Sequence, residues 1–199
     1  MVDKKQLQEL LYQALETEMG GQKLYQAAVA VAVNDDLREE WTKYLEETQT
    51  HERILRGVFE AFQLDPEVQT PGRKVVRHKA EALVAAIEMA RSSGEPAAAE
   101  RVAAESVVEA ESKDHMNWEL IGRVADELTG KEATALREAY AEVGEQEAEH
   151  LFHTMGWTRE LWIDALGMPA VLPPPEEQKS VVTQIGAARA EQSREKLLT

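Results

Sequence analysis

The chain has 199 residues, enough for one domain with a substantial core and short for two. Apolar residues make up 43% and charged residues 30%, an ordinary globular balance. The 37 acids against 22 bases leave a net charge of −15. That field repels phosphate backbones and anionic lipid surfaces, so neither nucleic acid nor membrane is expected as a partner, while cations, metal ions included, are favoured.

Cysteine is absent, which removes disulfides, thiol catalysis, Fe–S clusters and thiolate-bound zinc together. A metal or redox site must be assembled from His, Asp and Glu. The opening residues, MVDKKQLQEL, lack the apolar core of a signal peptide. No stretch reaches the roughly 18 to 20 apolar residues of a membrane span, and a cytoplasmic location is expected.

The hydrophobic period is helical almost throughout. Asp3 to Val33 carries Leu7, Leu11, Ala14, Tyr25, Ala28 and Ala32 along one stripe. Asn34-Asp35-Asp36 supplies a break and an N-cap for a second helix, Asp35 to Phe62. Asp65-Pro66 and Thr70-Pro71-Gly72 read as turns, followed by a shorter helix from Val75 to Arg91. Glu95-Pro96 opens a third long helix that runs to Leu128, with proline in its first turn. Thr129-Gly130-Lys131-Glu132 fits a capping box for a fourth, which reaches Met155 and ends or kinks at Gly156. A short apolar piece, Trp157 to Leu166, follows. Gly167-Met168-Pro169 and Pro173-Pro174-Pro175 then separate a bundle domain, 1–167, from a helical C-terminal extension, 168–199.

The expected fold is all-α. Helix, short loop, helix, long crossover with a short helix, helix, short loop, helix is the connectivity of a ferritin-like four-helix bundle. An up-down-up-down bundle needs no such crossover.

Polar residues interrupt the apolar stripes. Glu18 falls in the series Leu11, Ala14, Glu18, Gly21, Tyr25 of the first helix. In the second, Trp41, Tyr44, Thr48, His51, Leu55 places His51 inward, with Glu47 four residues before it. In the third, Ala104, Val108, Glu111, His115, Trp118 places Glu111 and His115 inward, and a rotation of one residue would bring Asp114 in instead. In the fourth, Leu136, Tyr140, Val143, Glu147, His150 sets Glu147 and His150 at i and i+3 on one face. Measured from the loops between paired helices, these positions lie at similar heights. Burying several carboxylates together costs many kcal/mol without a counter-charge. Two cations would remove that cost, and oxygen-rich sites with some imidazole suit Fe or Mn. Glu18, Glu47, His51, Glu111, His115, Glu147 and His150 are the expected metal ligands. A di-iron bundle uses a Glu from each of two helices and Glu-x-x-His from each of the others. Glu147-Ala148-Glu149-His150 supplies that motif once, whereas Thr48 stands at the matching Glu position of the second helix. Gly20-Gly21 beside Glu18 reads either as close helix packing or as room for metals or a small oxidant.

The run Leu45-Glu46-Glu47-Thr48-Gln49-Thr50-His51-Glu52-Arg53-Ile54-Leu55, with Val58-Phe59 after it, resembles the second helix of YciF-type ferritin-like proteins, a bacterial stress-associated group. Asp114-His115 and Gly122 resemble their third-helix Glu-His segment, with Asp for Glu. More broadly, Glu18, Glu147 and His150 are similar to positions in rubrerythrins and bacterioferritins. The resemblance covers residues 5–156. It implies a dinuclear metal site, a homodimer and a role in oxidative or general stress, and leaves the reaction open among ferroxidase, peroxidase and catalase-like chemistry on dioxygen or peroxide. The competing expectation is a non-catalytic binding or interaction bundle whose metal site is weakened or lost.

Overall fold

The computed structural model describes residues 2–169, which form five α-helices: α1 (Lys4–Val31), α2 (Asp35–Phe62), α3 (Pro71–Ser92), α4 (Pro96–Glu127) and α5 (Lys131–Ala165). There is no strand among these residues, and no helix is long and apolar enough to cross a membrane. The expected C-terminal extension lies outside the described residues apart from its first two positions.

Local chemistry sets most of the boundaries. Asp3 accepts from the Lys5 and Gln6 amides and starts α1. Asn34 accepts from Leu37 N at 3.0 Å and starts α2 at the expected residue. Two expectations are corrected here. Thr70-Pro71-Gly72 is not a turn ahead of the next helix but the beginning of α3. The Thr70 hydroxyl caps Arg73 N at 3.1 Å and Pro71 occupies the first turn, where a missing N–H costs nothing. The Thr129 capping box does not form, because Gly130, at φ 84°, is itself the N-cap of α5 and no side chain caps that end.

The fourth long helix also continues through Gly156 for nine further residues to Ala165. A helical glycine costs about 1 kcal/mol relative to alanine. Trp157 and Leu161 pack on the core beyond it, and Trp157 Nε1 donates to Glu40 at 2.7 Å, which outweighs that penalty. The helix stops at Gly167, φ 67°, whose amide folds back on Asp164 O at 2.8 Å.

α1 packs on α2 and α4, and α5 packs on the same two, so these four helices enclose a common interior. Pairs such as Tyr12–Phe59 and Tyr25–Tyr44 show α1 and α2 antiparallel. Thr17–Asn117 with Val33–Glu100 shows the same for α1 and α4. The chain therefore leaves α2 at one end and must enter α4 at the other. α3, packed on α1 and α4, covers that distance as a 22-residue helix of roughly 33 Å. Buried Glu100 on α4 ties down the α1–α2 loop by accepting the Val33 and Asn34 amides, both at 2.7 Å.

α3 is pinned by an ionic cluster. Glu16, buried on α1, takes Arg73 Nε at 2.6 Å on one oxygen and Arg77 Nε at 2.6 Å on the other. Burial alone would raise the Glu16 pKa, but the two guanidinium groups hold it below the usual range. Arg73, 1% exposed, also donates to Pro66 O and to Val68 O. Removing one partner of a buried pair strands the other, at about 3–5 kcal/mol. Glu16→Ala is expected to lower the unfolding free energy measured by urea titration by an amount in that range, and a value within error of wild type would show that α3 docks without this pair.

Two apolar clusters fill the interior. One joins Leu11, Leu15, Leu55, Phe59, Ile121 and Leu136; the other joins Leu24, Tyr25, Leu37, Trp41, Ile87 and Val107. Each of the four enclosing helices carries buried polar or charged side chains between the two clusters: Glu18, His51, Glu111 and Asp114, and Glu147 and His150.

Candidate metal centre

That intervening layer holds Glu18 from α1, His51 from α2, Glu111 and Asp114 from α4, and Glu147 and His150 from α5, each at most 4% exposed. Donor atoms of five of them converge in two overlapping trios, His51–Glu147–His150 and Glu18–Asp114–Glu147, each spanning no more than 4.8 Å, and Glu111 Oε2 lies 3.7 Å from His150 Nδ1. Glu147 belongs to both trios.

The imidazoles are oriented by their outer nitrogens. His51 Nε2 lies 2.7 Å from Gln146 Oε1, and His150 Nε2 lies 2.9 Å from Glu47 Oε2. Both partners accept, which places each ring proton on Nε2 and leaves a lone pair on each Nδ1. The two rings stack at 5.5 Å and turn those lone pairs inward. His51 Nδ1 is 2.8 Å from Glu147 Oε1 yet out of line for a hydrogen bond, and 3.8 Å from Glu18 Oε2. His150 Nδ1 is 3.7 Å from Glu111 Oε2 and 3.8 Å from Glu147 Oε1.

Buried polar atoms are normally hydrogen-bonded. Nine buried side-chain atoms among the described residues are not. Six of them belong to this layer: Glu18 Oε2, His51 Nδ1, Glu111 Oε2, Asp114 Oδ1, Glu147 Oε2 and His150 Nδ1. All six are nitrogen or oxygen atoms able to serve as metal ligands, and none has a hydrogen-bond partner. Burial, reinforced by the neighbouring carboxylates, drives Glu18 and Glu111 well above the usual carboxylate range, and Asp114 behaves the same way. Burial raises Glu147 to about 7 and lowers His51. A cation at the centre would supply the missing counter-charge and accept the orphaned lone pairs.

The surrounding groups hold this layer in place. Trp118 Nε1 donates to Glu18 Oε1 at 2.8 Å, leaving the other oxygen for the centre. Tyr25 stands beside Glu111, and the Tyr44 ring lies 4.1 Å from that of His150. Glu47 is half-buried at the rim. Its own burial would raise its pKa, but His150 and Lys43, 3.6 Å away, hold it down and keep it an acceptor.

Of the seven residues expected as ligands, Glu18, His51, Glu111, Glu147 and His150 are brought together. Glu47 instead meets the outer nitrogen of His150. His115 is outside the cluster, half-buried against Phe152 and 3.9 Å from Glu119. Asp114, the alternative one residue earlier, takes the interior position. The rotation has a tertiary cause: α4 packs on α3 as well as on α1 and α5, so its buried arc runs Ala103, Val107, Asp114, Asn117 and Ile121. Tyr140, expected inward, lies instead over Gly122 and Gly144, where an added Cβ would come within 2.8 Å of its ring. Gln146 was missed, and its neighbours on α5 carry no signal of its reach to α2.

Thr48 offers nothing to the centre. Its hydroxyl donates to Tyr44 O at 2.8 Å, and its methyl faces Gly21, where a Cβ would sit 3.4 Å from it. Gly20 is explained by packing, since a Cβ there would fall 2.6 Å from Ala80 of α3. No protein-family model, curated protein or solved structure matches this chain.

Proposed function

We propose that this chain is a ferritin-like protein, a four-helix bundle of α1, α2, α4 and α5 with α3 in the crossover, and that its polar layer binds two Fe or Mn ions. The observation that carries the reading is the set of six inward lone-pair atoms without donors, set against two histidines whose outer nitrogens are both engaged. Metal-binding histidines are held by an acceptor on the far nitrogen in this way. Glu18, His51, Glu111, Asp114, Glu147 and His150 would hold the ions. Glu47 and Gln146 orient the imidazoles rather than coordinate.

Such ions supply open coordination positions and changes of valence for reaction with dioxygen or peroxide. The residues of the chain contribute the rest. The two apolar clusters keep bulk water from the layer, and Trp118 holds Glu18 in place. With no cysteine in the chain, reducing equivalents come from outside it.

Elemental analysis of protein purified without chelator, with anomalous diffraction at the Fe and Mn edges, tests the assignment. About two ions per chain are expected, both between the enclosing helices. Less than about a tenth of an ion per chain, with none taken up on addition of Fe(II) or Mn(II), would overturn it. The orientation of Thr48 favours a second reading, a bundle that keeps the fold and serves as a binding module with a depleted site. A chain that stays metal-free yet folds normally is the result that reading expects.

A further inference from the structure

A cavity of about 540 Å³ opens between α1, α3 and α4, on the far side of α1 from the polar layer. Its size falls within the roughly 300–1,000 Å³ of small-molecule sites. Leu24, Val76, Ala80, Leu83 and Ala110 form an apolar floor and walls. Gly20 and Gly21 leave the α1 side bare. Gly20 is also what lets α3 approach, so the opening is a product of the same packing that fixes the crossover.

Two cations stand on this apolar lining, Lys79 of α3 and Lys113 of α4. In a chain with 37 acids, neither ammonium group forms an ion pair within 4 Å among the described residues. Glu109, exposed, is the one acid on the lining. Lys113 is half-buried and donates to the neutral amide oxygen of Asn117. Asn117 is fully buried and donates in turn to Thr17 Oγ1 at 3.1 Å. That relay holds the Lys113 ammonium at the cavity without neutralising it. Hydrocarbon walls with two unneutralised cations suit one kind of guest: an apolar body with a single anionic head.

We propose that this cavity binds an unbranched monocarboxylate, its chain against Leu24, Val76, Leu83 and Ala110 and its carboxylate between Lys79 and Lys113. The site is separate from the metal assignment, and either can fail without the other.

Isothermal titration of the purified full chain with hexanoate, octanoate and decanoate provides the test. One site per chain is expected, tightening roughly threefold to fourfold per added methylene. Decanol, which has no charge, is expected to bind at least about tenfold more weakly than decanoate. In the double variant Lys79→Met and Lys113→Met, decanoate is expected to fall to the decanol level, with decanol itself unchanged. Ala82→Trp, at an exposed lining position, is expected to abolish binding of both by filling the space, and keeps the test decisive should the lysine variant misfold. No saturable binding of decanoate to the wild type up to millimolar concentration would overturn the proposal. So would equal affinity for decyltrimethylammonium, or a fall in solution mass in Ala82→Trp, which would make this face a contact between copies of the chain.

Discussion

The metal-free protein is expected to lose stability as the pH rises from about 4.5 to above 7, and to regain it when Fe(II) or Mn(II) is added. Glu147 has its pKa raised by burial from 4.5 to about 7. The folded state therefore holds a proton that the unfolded state releases between those values. Stability from this group is fully present below the unfolded pKa and disappears as the pH passes through the folded one. A shift of this size corresponds to roughly 3 kcal/mol. In a chain of this length that is about 6–12 °C in melting temperature. Glu18, Glu111 and Asp114 are displaced in the same direction by burial and by one another, and they extend the loss to higher pH. His51, whose pKa burial lowers, acts in the opposite sense below about pH 6.5. A bound cation replaces the missing protons, and at one hundred times its Kd it adds about 2.7 kcal/mol for each site. Thermal melts of chelator-treated protein between pH 5 and 8, with and without Mn(II), measure both effects. A melting temperature flat across that range, with no response to metal, would mean that the acids of the layer satisfy one another in some other arrangement.

Glu147→Gln is expected to remove metal binding while leaving the fold intact. Glu147 is common to both trios, so its replacement removes a candidate ligand atom from each at once. Glutamine matches the shape, carries no charge and can donate to the lone pair of His51 Nδ1, which lies 2.8 Å from Glu147 Oε1. Replacing an uncompensated buried charge with a neutral group of equal volume is neutral or stabilising. At pH 8 the metal-free variant is expected to melt above the metal-free wild type, while its metal content falls from about two ions per chain to below about 0.2. His115→Ala is the matched control, since His115 lies outside the layer and its loss is expected to leave metal content unchanged. Equal metal content in Glu147→Gln and wild type would move the binding site away from this layer.

The extent of the reading from sequence differs between fold and site. α2 begins at Asp35 and ends at Phe62, where its period and its Asn34 cap put it. Pro96 opens α4 as its place after Glu95 indicated. These are local matters: a side chain that caps, a ring that fixes φ, an apolar stripe. Thr129 does not cap α5 because the adjacent Gly130, at positive φ, takes the N-cap position, and Gly156 does not end it because Trp157 and Leu161 pack on the core beyond. In the site, Glu18, His51, Glu111, Glu147 and His150 could be picked out because acids and imidazoles inside an apolar stripe are costly without a purpose. Thr48 and Glu47 could not be assigned from the stripe, since their roles depend on which atom across the interior each one meets.

By itself, then, the order of residues determined that the chain would be helical, where most helices start, and which polar groups would be carried to the same depth, because period and capping act over a few residues. Only the tertiary structure decided that Asp114 rather than His115 turns inward, that Glu47 and Gln146 meet the outer nitrogens of the imidazoles, and that Glu147 belongs to both His/carboxylate trios. Rotation of a helix about its own axis by about one residue is invisible in its period. It is set by every helix packed against it, and for α4 there are three.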